Sequence, residues 1–124
     1  MNSVRILVVE GEGFIRALMV NALIDAGFKV DDTGNSDAAL RLLDADGYQV
    51  LITGAYLPGK LSGLELAARS GQVEPDLPVV MIARQASQVA KFQEAGMNLK
   101  ALGNPFDTEE LVAIVKSLVK RATL

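Results

Sequence analysis

A chain of 124 residues is long enough for one domain that buries about two thirds of its unfolded surface and needs no covalent staple. Half of the residues are hydrophobic and 22% are charged, which excludes a disordered chain; the net charge of −3 excludes a basic nucleic-acid footprint at the level of the domain. With no cysteine and no histidine, disulfides, thiolate metal sites, a Ser-His-Asp triad and an imidazole base are all excluded.

In chain order, short apolar runs alternate with helical patterns. Val4 to Val9, broken only by Arg5, predicts a strand buried on both faces. Phe14 to Ala26 follows at helical period, with Gly27 placed to end it as a left-handed residue. Lys29 to Thr33 is the second predicted strand. Asn35 or Ser36 caps a helix that runs to about Ala45, and Gly47 closes it. Val50 to Thr53 predicts the third strand, and Leu57-Pro58-Gly59 opens a turn. Leu64 to Ser70 predicts a short helix ended by Gly71. Pro75 and Pro78 bracket a loop before a fourth strand, Val79 to Ile82. Ser87 to Ala95, stopped by Gly96, predicts a fourth helix, and Lys100 to Leu102 a short fifth strand. Asp107 caps the last helix and stands at capping-box spacing from Glu110. Lys116, Lys120 and Arg121 lie near the end of that helix, where they complement its dipole.

Strict alternation of five strands and five helices predicts an α/β domain: a doubly wound, five-stranded parallel sheet with right-handed crossovers, spanning 1–124. No apolar run reaches the roughly 20 residues of a membrane span, and Met1 to Glu10 lacks a signal-peptide pattern. The expected compartment is the cytoplasm.

Several short segments, taken together and in order, carry a family resemblance. They are Ile6-Leu7-Val8-Val9-Glu10, Ala26-Gly27-Phe28, Ala38-Ala39-Leu40 and Leu57-Pro58-Gly59. Gly63-Leu64-Glu65-Leu66, Leu77-Pro78-Val79-Val80 and Asn104-Pro105-Phe106-Asp107 complete the set. The chain resembles, over essentially its whole length, the receiver domain of bacterial two-component response regulators, the (βα)5 CheY-like (flavodoxin-like) fold. The resemblance implies an acidic pair after the first strand that binds Mg²⁺, an Asp at the end of the third strand that accepts a phosphoryl group, a Thr or Ser ending the fourth strand, a Lys before the last Pro-Phe, and an aromatic switch on the fifth strand. The chemistry explains these types. Carboxylates hold a hard cation through oxygen, cation and Lys neutralise the transferring phosphoryl group, and the acceptor carboxylate is the nucleophile.

Matched residue by residue, this chain departs from that pattern. Glu10 keeps the first acid, but Gly11 stands at the second, with Glu12 following as a partial substitute. The acceptor position falls on Gly54, the hydroxyl position on Ala83, the Lys position on Asn104 and the switch position on Ala101. The resemblance therefore implies a degenerate phosphorylation pocket: a pseudo-receiver without the acceptor Asp, not an enzyme, with no catalytic residue, metal or cofactor expected. Two readings of Glu10 and Glu12 stand side by side, a salt bridge with Lys60 or Arg84 in place of the cation, or two solvated carboxylates. The family's bond before Pro105 is usually cis, and the same is expected here.

The expected role is an adaptor that docks a protein in bacterial two-component-type signalling. The partner would be a kinase, another regulator, an output protein or a second copy, and neither membrane nor nucleic acid is expected. Phe14 at the entrance of the first helix, and Val112, Lys116 and Val119 on the last, are the candidate interaction face; the two valines equally suit a core edge. Phe92 is expected in the core. The alternative is a sensor in which a nucleotide or metabolite fills the emptied pocket. A third reading uses Glu10 or Glu12 as a substitute acceptor. Gly11-Glu12-Gly13 is not a phosphate loop, because Glu12 would repel the ligand. The chain is expected to be a stand-alone adaptor or a fragment of a longer regulator.

Overall fold

The computed structural model describes residues 4–45, 47–83, 90, 99–103 and 105–122, with side chains of the last helix described as far as Val119. In chain order the elements are β1 (Arg5–Val9), α1 (Gly13–Asp25), β2 (Lys29–Thr33), α2 (Ser36–Ala45), β3 (Val50–Gly54), α3 (Gly63–Val73), β4 (Val79–Ala83), β5 (Leu99–Gly103) and α4 (Thr108–Ala122). All strand pairings are parallel, in the order β2-β1-β3-β4-β5.

The continuous apolar runs become the sheet's interior. β3 and β4 are buried throughout, and β1 is buried from Ile6 to Val9. The charged strand Lys29-Val30-Asp31-Asp32-Thr33 lies at one edge, where exposed polar side chains discourage pairing with another sheet. Successive strand residues face opposite ways. Leu7, Val9, Leu51 and Met81 pack with Leu43 of α2 and Leu66 of α3. Ile6, Val8, Ile52 and Val80 pack with Met19 and Leu23 of α1 and with Leu111, Val115 and Leu118 of α4. Each described helix thus buries its apolar side against the sheet, the arrangement expected from the alternation.

Local chemistry sets the element ends. Gly27 adopts φ 98° and ends α1 as expected. Asn35 is the cap of α2, its Oδ1 accepting the Ala38 N–H at 2.9 Å. Gly71 does not stop α3. It stays out of the left-handed region, and the helix runs on to Val73 before Pro75. The capping box lies at the start of α3: Ser62 Oγ accepts the Glu65 N–H and Glu65 Oε1 accepts the Ser62 N–H. At α4, Asp107 Oδ1 accepts from Glu109 N–H at 3.0 Å rather than from the expected Glu110. The fourth predicted helix apart from Ala90, with Phe92, its stop at Gly96, Arg84, and Asn104 with the bond to Pro105, lies outside the described residues. Among the described residues, no helix is long and apolar enough to cross a membrane.

Candidate functional site

The strand order reverses between β1 and β3, because β1 leads outward to β2 while β3 leads on to β4. Crevices that take ligands in open parallel sheets form at such a point, beyond the carboxyl ends of the strands. Here the crevice is a cleft of about 360 Å³, walled by Glu10 and Glu12 on one side and by Gly54, Ala55 and Tyr56 on the other. Ile15, Ile82 and Ala83 complete it.

The two strand ends are fixed by backbone bonds. Glu10 N–H donates to Thr33 O at 3.1 Å, and Ala55 N–H donates to Ile82 O at 2.9 Å. Arg16, early in α1, bridges outward. Its Nη1 donates to the Glu10 carbonyl at 2.7 Å, and its Nε pairs with Asp32 Oδ2 at 3.0 Å. The Glu10 side chain is held in turn: Oε2 accepts the Glu12 N–H at 2.8 Å, and Oε1 lies 2.7 Å from where a Cβ on Gly54 would stand. One carboxylate oxygen therefore fills the room that a side chain on residue 54 would need.

Gly11 is closed off by a different neighbour. A Cβ there would meet Pro58 Cδ at 2.8 Å. The proline is placed by the loop that Gly59 turns at φ 113°. Ser36 at the head of α2 clamps that loop, its N–H donating to Pro58 O at 3.1 Å and its Oγ accepting the Leu61 N–H at 3.0 Å.

Among the residues singled out from the sequence, Glu10, Glu12, Gly54 and Ala83 meet in the cleft. Gly11 sits beside it under Pro58, and Ala101 is an exposed residue of β5 paired with Met81, outside the lining. Phe14 is 76% exposed, Lys116 is exposed, and Val112 and Val119 are half-buried against the core. Sequence reasoning passes over Tyr56, 72% exposed, and Ile15, Ala55 and Ile82. The only signal for Tyr56 is its place just after the third strand. Among the described residues no ion pair links Lys60 to Glu10 or Glu12; its backbone N–H instead donates to Asp37 at 3.4 Å.

The Mg²⁺ that the resemblance implies takes oxygen ligands in near-octahedral geometry. Gly11 and Gly54 offer no side-chain oxygen, the Glu10 carboxylate is committed to Glu12 N–H and to the space above Gly54, and no group of three or more acidic side chains gathers among the described residues. The residues present do not fit that ion.

The two glycines should respond differently to a methyl group. In Gly54→Ala the obstacle is the end of a flexible side chain, so stability should change by less than about 1 kcal/mol. In Gly11→Ala the obstacle is a proline ring held by its loop, and a loss of about 1–2 kcal/mol is expected. Urea unfolding of both variants checks this; equal losses would mean that Pro58 yields as readily as Glu10.

Comparison with known proteins gives one consistent result. A family model described as the response regulator receiver domain matches residues 6–116. The response regulator receiver protein CpdR of Brucella abortus is 29% identical over 116 residues, covering 93% of this chain and 96% of that protein. The transcriptional regulatory protein TcrA of Mycobacterium tuberculosis is 31% identical over 127 residues, and the chain spans only 49% of its length. Among solved structures, a CheY-like receiver domain protein from Methanospirillum hungatei superposes with a TM-score of 0.88 at 18% identity, covering 98% of each chain, a likeness of fold.

Proposed function

The chain belongs to the response regulator receiver domain family, and from that premise we propose that it is a pseudo-receiver: a protein-docking module of two-component signalling whose state does not depend on phosphorylation. The observation that carries this reading is the Glu10 carboxylate lying over Gly54. Phosphotransfer to a receiver needs a carboxylate nucleophile at that strand end, and glycine has none. The neighbouring groups agree. Ala83 has no hydroxyl to bind a phosphoryl oxygen, and Gly11 has no side-chain oxygen, while a Cβ there would meet the Pro58 ring. A phosphate that makes no differential contacts with two states shifts no population between them. The module therefore acts through its surfaces, on a kinase, another regulator or an output protein, and catalyses nothing itself.

The test is incubation with a small acyl phosphate and Mg²⁺, followed by intact-mass analysis, with an Asp-bearing receiver as positive control. No phosphoryl adduct is expected on this chain. An adduct mapped to Glu10 or Glu12 would overturn the proposal in favour of a substitute acceptor. The cleft's described lining also weighs against a phosphate-bearing ligand, since its charged groups are both carboxylates.

A further inference from the structure

Between β3 and α3, residues 57–61 reach two other parts of the fold at once. On one side the Pro58 ring lies against the β1–α1 turn, with Cδ 2.8 Å and Cγ 3.4 Å from where a Cβ on Gly11 would stand. On the other side the loop is tied to the head of α2. Ser36 N–H donates to Pro58 O at 3.1 Å, Ser36 Oγ accepts the Leu61 N–H at 3.0 Å, and Asp37 Oδ1 accepts the Lys60 N–H at 3.4 Å. Ser36 is 0% exposed, so water does not replace its bonds while the loop is seated. Gly59 makes the seat possible: its φ is 113°, and a Cβ there would stand 2.5 Å from Ser36 Oγ. One residue, Pro58, therefore touches the turn with its ring and α2 with its carbonyl, and the ring restricts the backbone between those two contacts.

We propose that this loop is a strap that couples the β1–α1 turn to the head of α2: a displacement of the turn toward the loop unseats Pro58 and frees Ser36. The turn joins Glu10 and Glu12, which wall the cleft, so the strap links the rim of the cleft to a helix outside its lining. The route is short. A push at Gly11 meets a rigid ring, and the ring passes it to the Pro58 carbonyl, whose bond to Ser36 N–H then opens. The loop has two discrete arrangements, seated and released, because the bonds of Ser36 to Pro58 and Leu61 break together; such an element can carry coupling between two places. Linkage makes the effect reciprocal, so loosening the loop at Ser36 lets Pro58 retreat from Gly11. The strap goes beyond the docking-module reading and does not rest on it, since it requires neither the presence nor the absence of a phosphoryl group.

The test is a double-mutant cycle, read by equilibrium urea unfolding of the whole chain. Gly11→Ala presses on the Pro58 ring, and Ser36→Ala removes the hydroxyl that holds the Leu61 N–H. Each change alone is expected to raise the unfolding constant about tenfold. Independent sites would multiply to about a hundredfold in the pair, whereas a loop already released by one change no longer resists the other, so about thirtyfold or less is expected. Gly54→Ala, whose Cβ meets the Glu10 side chain instead of the strap, should multiply with Ser36→Ala to within about twofold. Amide hydrogen exchange locates the effect: Gly11→Ala should quicken the Ser36 and Leu61 amides about tenfold, and Gly54→Ala should leave both within about twofold of the wild type. In the wild type itself the two amides should open with equal constants, within about threefold, because one release frees both. A hundredfold effect in the pair overturns the strap, as do Ser36 and Leu61 amides indifferent to Gly11→Ala. Unequal opening of the two amides in the wild type overturns it whether or not a variant folds.

Discussion

Replacing Gly63 by alanine is expected to cost about 3 kcal/mol and to lower the melting temperature by about 10–15 °C. On propensity alone the opposite follows, since alanine is the better helix former by about 1 kcal/mol. Position 63 is different because the first turn of α3 lies directly on the end of β3. Gly63 N–H donates to Ala55 O at 2.9 Å, which draws the helix start against the strand. A Cβ there would overlap the Gly54 carbonyl oxygen and stand 3.0 Å from Ala55 Cα. Both obstacles are backbone, and Ala55 is itself tied to β4 through Ile82 O. No rotamer change relieves the overlap, so either the helix start or the strand end must shift. The capping box at Ser62 and Glu65 would be strained with it. Thermal and urea unfolding decide the matter. A variant as stable as the wild type would mean that α3 does not rest on β3 at this distance.

The same junction shows what sequence can and cannot convey. The alternation of apolar runs and helical periods reports how each segment is buried, so the parallel sheet and its two covered faces were legible. Lys29–Thr33 even has the expected ends. Local signals were legible in kind but not always in place. Gly27 is left-handed as its position suggests, whereas Gly71 is helical, because glycine permits a turn without requiring one. Ser62 and Glu65 carry a capping-box spacing that a helix start at Leu64 overlooks. At the cleft, the convergence of Glu10, Gly54 and Ala83 was readable from their positions at strand ends. What the sequence did not convey was which group lies against each glycine: Glu10 over Gly54, but Pro58 over Gly11. The Pro58 contact depends on how the Gly59 loop is clamped by Ser36 from another element, and no local pattern encodes that.

Helix α1 is the sharpest case, and a pair of leucines tests it. Ile15, Leu18, Met19, Ala22, Leu23 and Ala26 recur at helical period, but Phe14, Val20 and Ile24 make the other sides apolar too, so the period marks the helix without saying which face meets the sheet. The structure assigns the inner face to Met19 and Leu23, both 0% exposed, and leaves Leu18 45% exposed. Leu23 packs in the cluster that contains Leu111 and Val115 of α4. Leu23→Ala should therefore open a cavity and cost about 3 kcal/mol. At dilute protein, Leu18→Ala should change stability by no more than about 0.5 kcal/mol. Equal costs at any dilution would mean that α1 is rotated about its axis. A cost at Leu18 that grows with protein concentration means something else, because only an associating species gains stability by mass action. The outer face of α1 would then be covered in solution.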